Sequence, residues 1–307
     1  MGHAMSGHGD STKAVLVALG ANLAIAVAKG VAAWFTRSGA MLAETVHSLA
    51  DCGNQLLLLV GMKQAKGPPS PDHPLGRGKE IYFWSFLVAV MLFTIGGMYS
   101  VYEGLHKLAH PEPLEKWQWA VGVLLFSIVM EGYSTHACLK ESAAERAGRS
   151  LWCWFRESRS AELIVVVGEN IAALLGLAVA LVFIALSIVT GDPVWDAIGT
   201  LLIGVLLVVV AVFVAIEVKA MLVGQGIDPR RQAEMRAFIA ARPEIDTVYN
   251  IITLQLGTRS MVSVQARLRH DVGSATQIDA IERDFRLAFP EVQWSFFEPE
   301  DKGDLEA

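Results

Sequence analysis

The chain has 307 residues, of which 53% are hydrophobic and only 18% charged. A soluble domain carries about a quarter charged residues, so this composition excludes an ordinary soluble protein and points to a membrane protein with a polar appendage. The net charge of −6 gives no footprint for nucleic acid.

The N-terminal residues 1–12 form a polar tail without a charged segment leading into an apolar one, so no cleavable signal peptide is expected there. Six long apolar runs follow, at 13–36, 40–62, 81–105, 117–138, 162–189 and 194–218. Each is near or above the roughly 20 residues that cross a bilayer. The second run contains ETVHSLADCGNQ, residues 44–55. Ionisable groups at that depth are costly unless paired, and they mark functional sites. His47 and Asp51 are four apart and Glu44 is three before His47, so the three share one helical face. Imidazole and carboxylate at this spacing suit a divalent cation. Glu44 is a candidate gate or proton-path residue.

The loop KQAKGPPSPDHPLGRGK, 63–79, is rich in Pro and Gly and reads as non-helical. Asp72 and His73 in it form a weak candidate metal site, with a structural role favoured. In the fourth run Glu131 sits mid-span, in IVMEGYSTH. The segment KESAAERAGRSLWCWFRESRS, 140–160, is expected at the membrane surface, with Trp152, Trp154 and Phe155 at the interface. The fifth run, SAELIVVVGENIAALLGLAV, carries Glu162, Glu169 and Asn170. Glu131 and Glu169 read either as ligands or proton carriers, or as partners in interhelical hydrogen bonds. Glu162 is a further candidate on the proton path. Lys29 in the first run is expected to extend toward the interface. Cys52, Cys138 and Cys153 form no paired framework and read as small packing residues.

The two polar loops, with Lys13 and Lys219, hold eleven Lys and Arg, against Arg37, Lys107 and Lys116 at the other ends. The positive-inside rule then places both termini in the cytoplasm. From residue 219 to 307 the pattern changes. DPRRQAEMRAFIAARPE and SATQIDAIERDFRLAF read as helices, with Ser274 a candidate cap. VYNIITLQLG, SMVSVQARLRH and EVQWSFFEPE read as strands. The expected architecture is therefore an α-helical membrane protein of six transmembrane helices, 13–218, followed by a small cytoplasmic α+β domain in the order α-β-β-α-β. No nucleophile–base pair or phosphate loop argues for an enzyme.

Six spans, HSLAD in the second, the loop HPLGRG and the α-β-β-α-β tail together resemble the cation diffusion facilitator family of metal/proton antiporters. HSLAD…NQLLLLVG followed by HPLGRGKEIYFWS is similar to its branch containing zinc transporter nine. The resemblance implies efflux of a divalent cation, Zn²⁺ first, with Mn²⁺, Co²⁺ or Fe²⁺ as alternatives. It also implies exchange against protons by alternating access, a homodimer, a place in a bilayer such as a bacterial inner membrane, and no resident cofactor. That family takes two ligands from the second span and two from the fifth. His47 and Asp51 match the first pair. In the fifth span Asn170 falls at the usual Asp and Val166 four before it, so both usual ligands are missing. His47, Asp51, Glu169, Asn170 and Glu131 are the candidate metal set. His270 is the last domain's one histidine, which argues against a metal site there. The missing pair also motivates a rival reading, a transport-deficient membrane partner that dimerises with an active transporter.

Overall fold

The computed structural model describes residues 8–146, 148–269 and 275–300. Six long helices lead: α1 His8–Thr36, α2 Gly39–Ala65, α3 Glu80–Ala109, α4 Trp117–Glu141, then, after a short amphipathic helix α5 Leu151–Glu157, α6 Ala161–Thr190 and α7 Val194–Gly224. Their limits follow the apolar runs of the sequence. Among the described residues α3, α4, α6 and α7 hold stretches long and apolar enough to cross a membrane. The apolar part of α1, Asn22–Thr36, is shorter. Helix α2 has 27 residues, but Glu44, His47, Asp51, Asn54 and Gln55 interrupt its apolar sequence.

The chain divides into two compact units. The first holds 1–60, 84–148 and 162–216. Its core packs Met41, Leu92, Leu124, Leu177, Ile203 and Leu207, one or more from each of α2, α3, α4, α6 and α7. Helix α3 is interrupted midway by a π-helical stretch, Leu92–Met98. Such turns shift the helical face by part of a turn and recur at functional positions. The break between α1 and α2 is sharp: Arg37 takes a left-handed φ of 53° and Ser38 then caps α2, its hydroxyl accepting from the Met41 N–H at 3.1 Å.

The second unit holds 61–83, 149–161 and 217–307. It contains α8 Pro229–Ala240, β1 Ile245–Leu256, β2 Arg259–Leu268, α9 Ala275–Ala288 and β3 Val292–Pro299, the expected α-β-β-α-β order. Asp228 caps α8 and Pro229 fills its first turn, where a missing N–H costs nothing. The sheet order is β1-β2-β3, with β1 antiparallel and β3 parallel to β2. Buried residues alternate along β2, as a strand with one covered face requires. Met235, Ile239, Ile251, Val262, Ile281 and Phe285 form the core between the sheet and its two helices. Ser274 and His270 lie outside the described residues.

One expectation changes within this unit. Trp154 is fully buried and Phe155 nearly so, and only Trp152 is exposed, at 63%. The two rings pack edge to face, centroids 5.2 Å apart, so these two side chains anchor the segment within the fold instead of facing outward. Arg149 fixes it, bonding Glu157 at 3.0 Å and Asp228 at 2.7 Å, while Arg159 Nε donates to the Gly226 carbonyl at 2.7 Å. The HPLGRG loop likewise has a packing role. A Cβ on Gly78 would meet the Leu256 carbonyl oxygen at 2.1 Å, so only glycine permits that approach to the β1–β2 turn. The Gly257 N–H at that turn donates to the Tyr82 hydroxyl at 2.9 Å.

Candidate functional site

The polar stripe of α2 is placed by its own helix start. Asp196, at the beginning of α7, accepts from the Ser38 hydroxyl at 2.5 Å and from the Gly39 N–H at 2.7 Å. With the Ala40 N–H donating to it as well, at 3.4 Å, it satisfies two backbone groups that helix geometry leaves unpaired, those of Gly39 and Ala40, and puts a carboxylate at the positive end of α2. Lys107 Nζ stands 3.6 Å from the same carboxylate.

From that start, the three- and four-residue spacing brings Glu44, His47 and Asp51 onto one buried face. His47 and Glu44 have no solvent exposure. His47 Nδ1 and Asp51 Oδ1 are 3.5 Å apart, and the contact does not meet the geometry of a hydrogen bond. Six buried atoms in this stretch have no protein hydrogen-bond partner: Glu44 Oε1, both His47 ring nitrogens, Asp51 Oδ1, Asn54 Oδ1 and Gln55 Oε1. Buried polar atoms left unpaired cost about 1–3 kcal/mol each, and native folds contain few of them. Six along three turns of one helix is a concentration that a purely structural role does not explain. All six carry lone pairs in at least one protonation or tautomeric state, so the stripe presents donor atoms for a cation.

Helix α6 reaches this stripe through Glu169. It is 5% exposed and its Oε1 accepts from Asn54 Nδ2 at 2.5 Å. Asp51 lies within electrostatic reach of the carboxylates of Glu169, Glu131 and Glu44 and of the Lys29 ammonium. Asn170 is half-buried, and its backbone carbonyl accepts from the Thr135 hydroxyl of α4 at 3.5 Å. Glu131 on α4 is half-buried. Among the described residues no three His, Cys, Asp or Glu side chains stand close enough together to hold a metal ion. The structure thus brings His47 and Asp51 together and ties Glu169 to Asn54, but does not gather the whole candidate set around one point.

The remaining candidates stand apart. Glu162 sits in the first turn of α6, and the charged neighbour acting on it is Glu145 rather than the His47–Asp51 pair. Asp72 and His73 are exposed in a tight turn in which Ser70 and His73 exchange backbone hydrogen bonds at 3.0 Å. Cys52 and Cys138 are buried and Cys153 half-buried, and none of the three forms a disulfide among the described residues.

Two residues matter more than sequence reasoning gave them credit for. Lys29 does not extend to an interface: it is fully buried and pairs with Glu44 at 3.1 Å. Its apolar surroundings and the acid fifteen residues later were the available signal. Asp196 opens the last apolar run, and its bond across 158 positions leaves no local trace in the sequence.

The model of the cation efflux transmembrane domain matches residues 15–223. The chain is 30% identical over 283 residues to the mitochondrial proton-coupled zinc antiporter of Mus musculus, covering 92% of this chain and 50% of that protein. It is 29% identical over 252 residues to metal tolerance protein C4 of Arabidopsis thaliana, covering 81% of this chain and 55% of the relative. A shorter match, 30% over 101 residues, covers 31% of this chain and 32% of magnetosome protein MamM of Magnetospirillum gryphiswaldense. The chain spans about half the length of the first two of these relatives. With most of its length matched by the transmembrane-domain model, and with the polar stripe of α2 inside that match, the chain belongs to the cation efflux family, the cation diffusion facilitators, and resembles its zinc-transporter-nine-like members.

Proposed function

We propose that this protein exports a divalent metal cation, Zn²⁺ foremost, across a membrane in exchange for protons. The observation that carries the reading is the unpaired set on α2, with His47 and Asp51 3.5 Å apart at its centre. The zinc antiporter among the relatives supports the choice of metal and of protons as the exchanged ion. In this reading α1 and α2 complete a set of six spans with α3, α4, α6 and α7. The basic loops favour both termini in the cytoplasm, with 219–307 as the cytoplasmic α+β domain.

His47 and Asp51 bind the cation from the cytoplasmic side in their deprotonated forms. Glu169 swings from Asn54 to supply an α6 oxygen, and Glu131 adds another from α4. A site of one nitrogen and several oxygens accepts Zn²⁺ and also tolerates harder ions such as Mn²⁺. On the far side protons compete for the same lone pairs. Imidazole is suited to that exchange because its ordinary pKa lies near neutrality. Each proton bound lowers the affinity for the metal and favours its release. The relatives lend no support to the rival reading of a transport-deficient partner, and the Glu169 carboxylate beside Asn54 offers the fifth-span oxygen whose absence motivated it.

The test is flux. Purified protein in liposomes, given a pH gradient, is expected to move Zn²⁺ against a matched gradient-free control. Flux undiminished in the combined His47→Ala and Asp51→Ala variant sinks the reading.

A further inference from the structure

Lys29 is a fully buried ammonium in α1, turned toward α2 rather than along its own helix to an aqueous end. Its Nζ donates to Glu44 Oε2 at 3.1 Å and to the Ser48 hydroxyl at 2.8 Å. These two residues bracket His47, one three positions before it and one directly after. Glu44 is fully buried as well, and only one of its oxygens is bonded; Oε1 has no protein hydrogen-bond partner. That second oxygen points at Gly176 of α6, where a Cβ would stand 2.5 Å from it. The α6 surface is therefore cut back to leave Glu44 room. The charged and titratable groups within reach of this pair are His47 and Asp51 from α2 and Glu131 from α4, and Asp51 lies in turn within reach of Glu169 from α6.

A buried ion pair is weak evidence for a stabilising role, because well-packed apolar residues of similar size hold helices as well or better. Its position is more telling. Without Lys29, the Asp51 carboxylate would stand within electrostatic reach of three others, those of Glu44, Glu131 and Glu169, with no cation among them, and a divalent ion drawn to so negative a region would be slow to leave it. A transport site must bind firmly enough to load and weakly enough to release.

We propose that Lys29 is a resident cation of the transport site: it cancels one carboxylate charge by pairing with Glu44 and so sets the affinity for the divalent ion. The inference rests on the reading of His47 and Asp51 as ligands. An arriving divalent ion is repelled by the ammonium through a medium of low dielectric, and the free oxygen of Glu44 marks the exchangeable side of the pair. Affinity then follows site charge. Lys29→Met makes the site one charge more negative, Glu44→Gln one more positive, and the two together restore the balance.

The experiment titrates Zn²⁺ calorimetrically into full-length protein in detergent at one pH and ionic strength, with size-exclusion profiles to score folding. Lys29→Met is expected to bind about tenfold or more tightly, Glu44→Gln about tenfold or more weakly, and the double variant to lie within about threefold of wild type, the scale of one charge at close range. Lys29→Arg keeps the charge and stays nearer to wild type than Lys29→Met does. Equal affinities across the folded variants overturn the proposal and leave Lys29 a helix-packing residue. If Lys29→Met does not fold, the comparison of Glu44→Gln with the double variant decides: a double variant as weak as Glu44→Gln overturns it. Wild type that binds no Zn²⁺, or binding that survives His47→Ala with Asp51→Ala, removes the ligand reading and this proposal together. Binding lost in that control beside a flat charge series removes this proposal alone.

Discussion

Helices α2 and α6 meet through one hydrogen bond, Asn54 to Glu169, but they are built on opposite terms. Helix α2 carries its polar groups at three- and four-residue intervals and leaves six buried atoms unpaired. Helix α6 is apolar along nearly all of its 30 residues, and its one fully buried acid is already bonded. The contrast teaches that a site divided between two helices need not be divided evenly. On the proposed reading, one helix holds the ligand chemistry in readiness, and the other holds a carboxylate in reserve and keeps a glycine clear for Glu44.

The largest way to break this asymmetry is on α2. Replacing both His47 and Asp51 by Ala removes the pair, and Zn²⁺ affinity is expected to fall beyond the roughly 10–100-fold that loss of a mere supporting residue costs. Calorimetry on the purified protein reads it. Next comes the reserve on α6. Glu169→Gln keeps a hydrogen-bonding oxygen but loses the charge, and a tenfold weakening, about 1.4 kcal/mol, is expected if the oxygen joins the metal. Asn170→Asp introduces an acid at the position where the family resemblance implies one. It sharpens the comparison from the other side: binding tightens by about tenfold if Asn170 faces the site, and stays level if only its backbone does, as its bond from Thr135 suggests.

A third change tests how α2 is held. Asp196→Ala strips these hydrogen bonds from the start of α2 and leaves Lys107 without its carboxylate. Breaking a buried pair of this kind costs about 3–5 kcal/mol, so thermal unfolding in detergent is expected at clearly lower temperature. Asp196→Asn keeps much of the geometry and is expected to lose less.

The smallest effect lies in the second unit and follows pH. The hydrogen bond from Arg149 holds the Glu157 carboxyl below its ordinary range. Burial works to raise Asp228, but the Arg149 hydrogen bond and the Arg230 N–H outweigh it and the net shift is downward. An acid whose pKa is lowered by folding adds stability above its unfolded pKa, and that stability is lost as pH falls through the folded value. The protection factors of the Leu151–Glu157 amides, corrected for the pH dependence of intrinsic exchange, are therefore expected to be unchanged across about pH 6 to 8 and to fall only below about pH 4. A fall near neutrality would assign the anchoring to some other group.

Much of this molecule was legible in sequence because it is periodic. Apolar runs gave the six long helices, alternation gave the strands of 245–299, and the spacing of His47 and Asp51 gave the pair. What stayed hidden was pairing between distant elements. Nothing local to Lys29 says that its ammonium turns to Glu44 rather than to water. Nothing near Asp196 says that it caps a helix begun 157 residues earlier. Trp154 and Phe155 look like interface aromatics in any short amphipathic segment, and only the fold around Arg149 buries them. The π-helical stretch in α3 likewise has no mark in the sequence LFTIGGM.

The central claim is that the unpaired face of α2 is one half of a divalent-cation site. The most direct measurement is a structure of the full chain soaked with Zn²⁺, read by anomalous scattering at the zinc edge. The account predicts a peak bonded to His47 and Asp51, with Glu169 turned from Asn54 toward it. Zinc bound elsewhere, with His47 and Asp51 left as they stand, would contradict it.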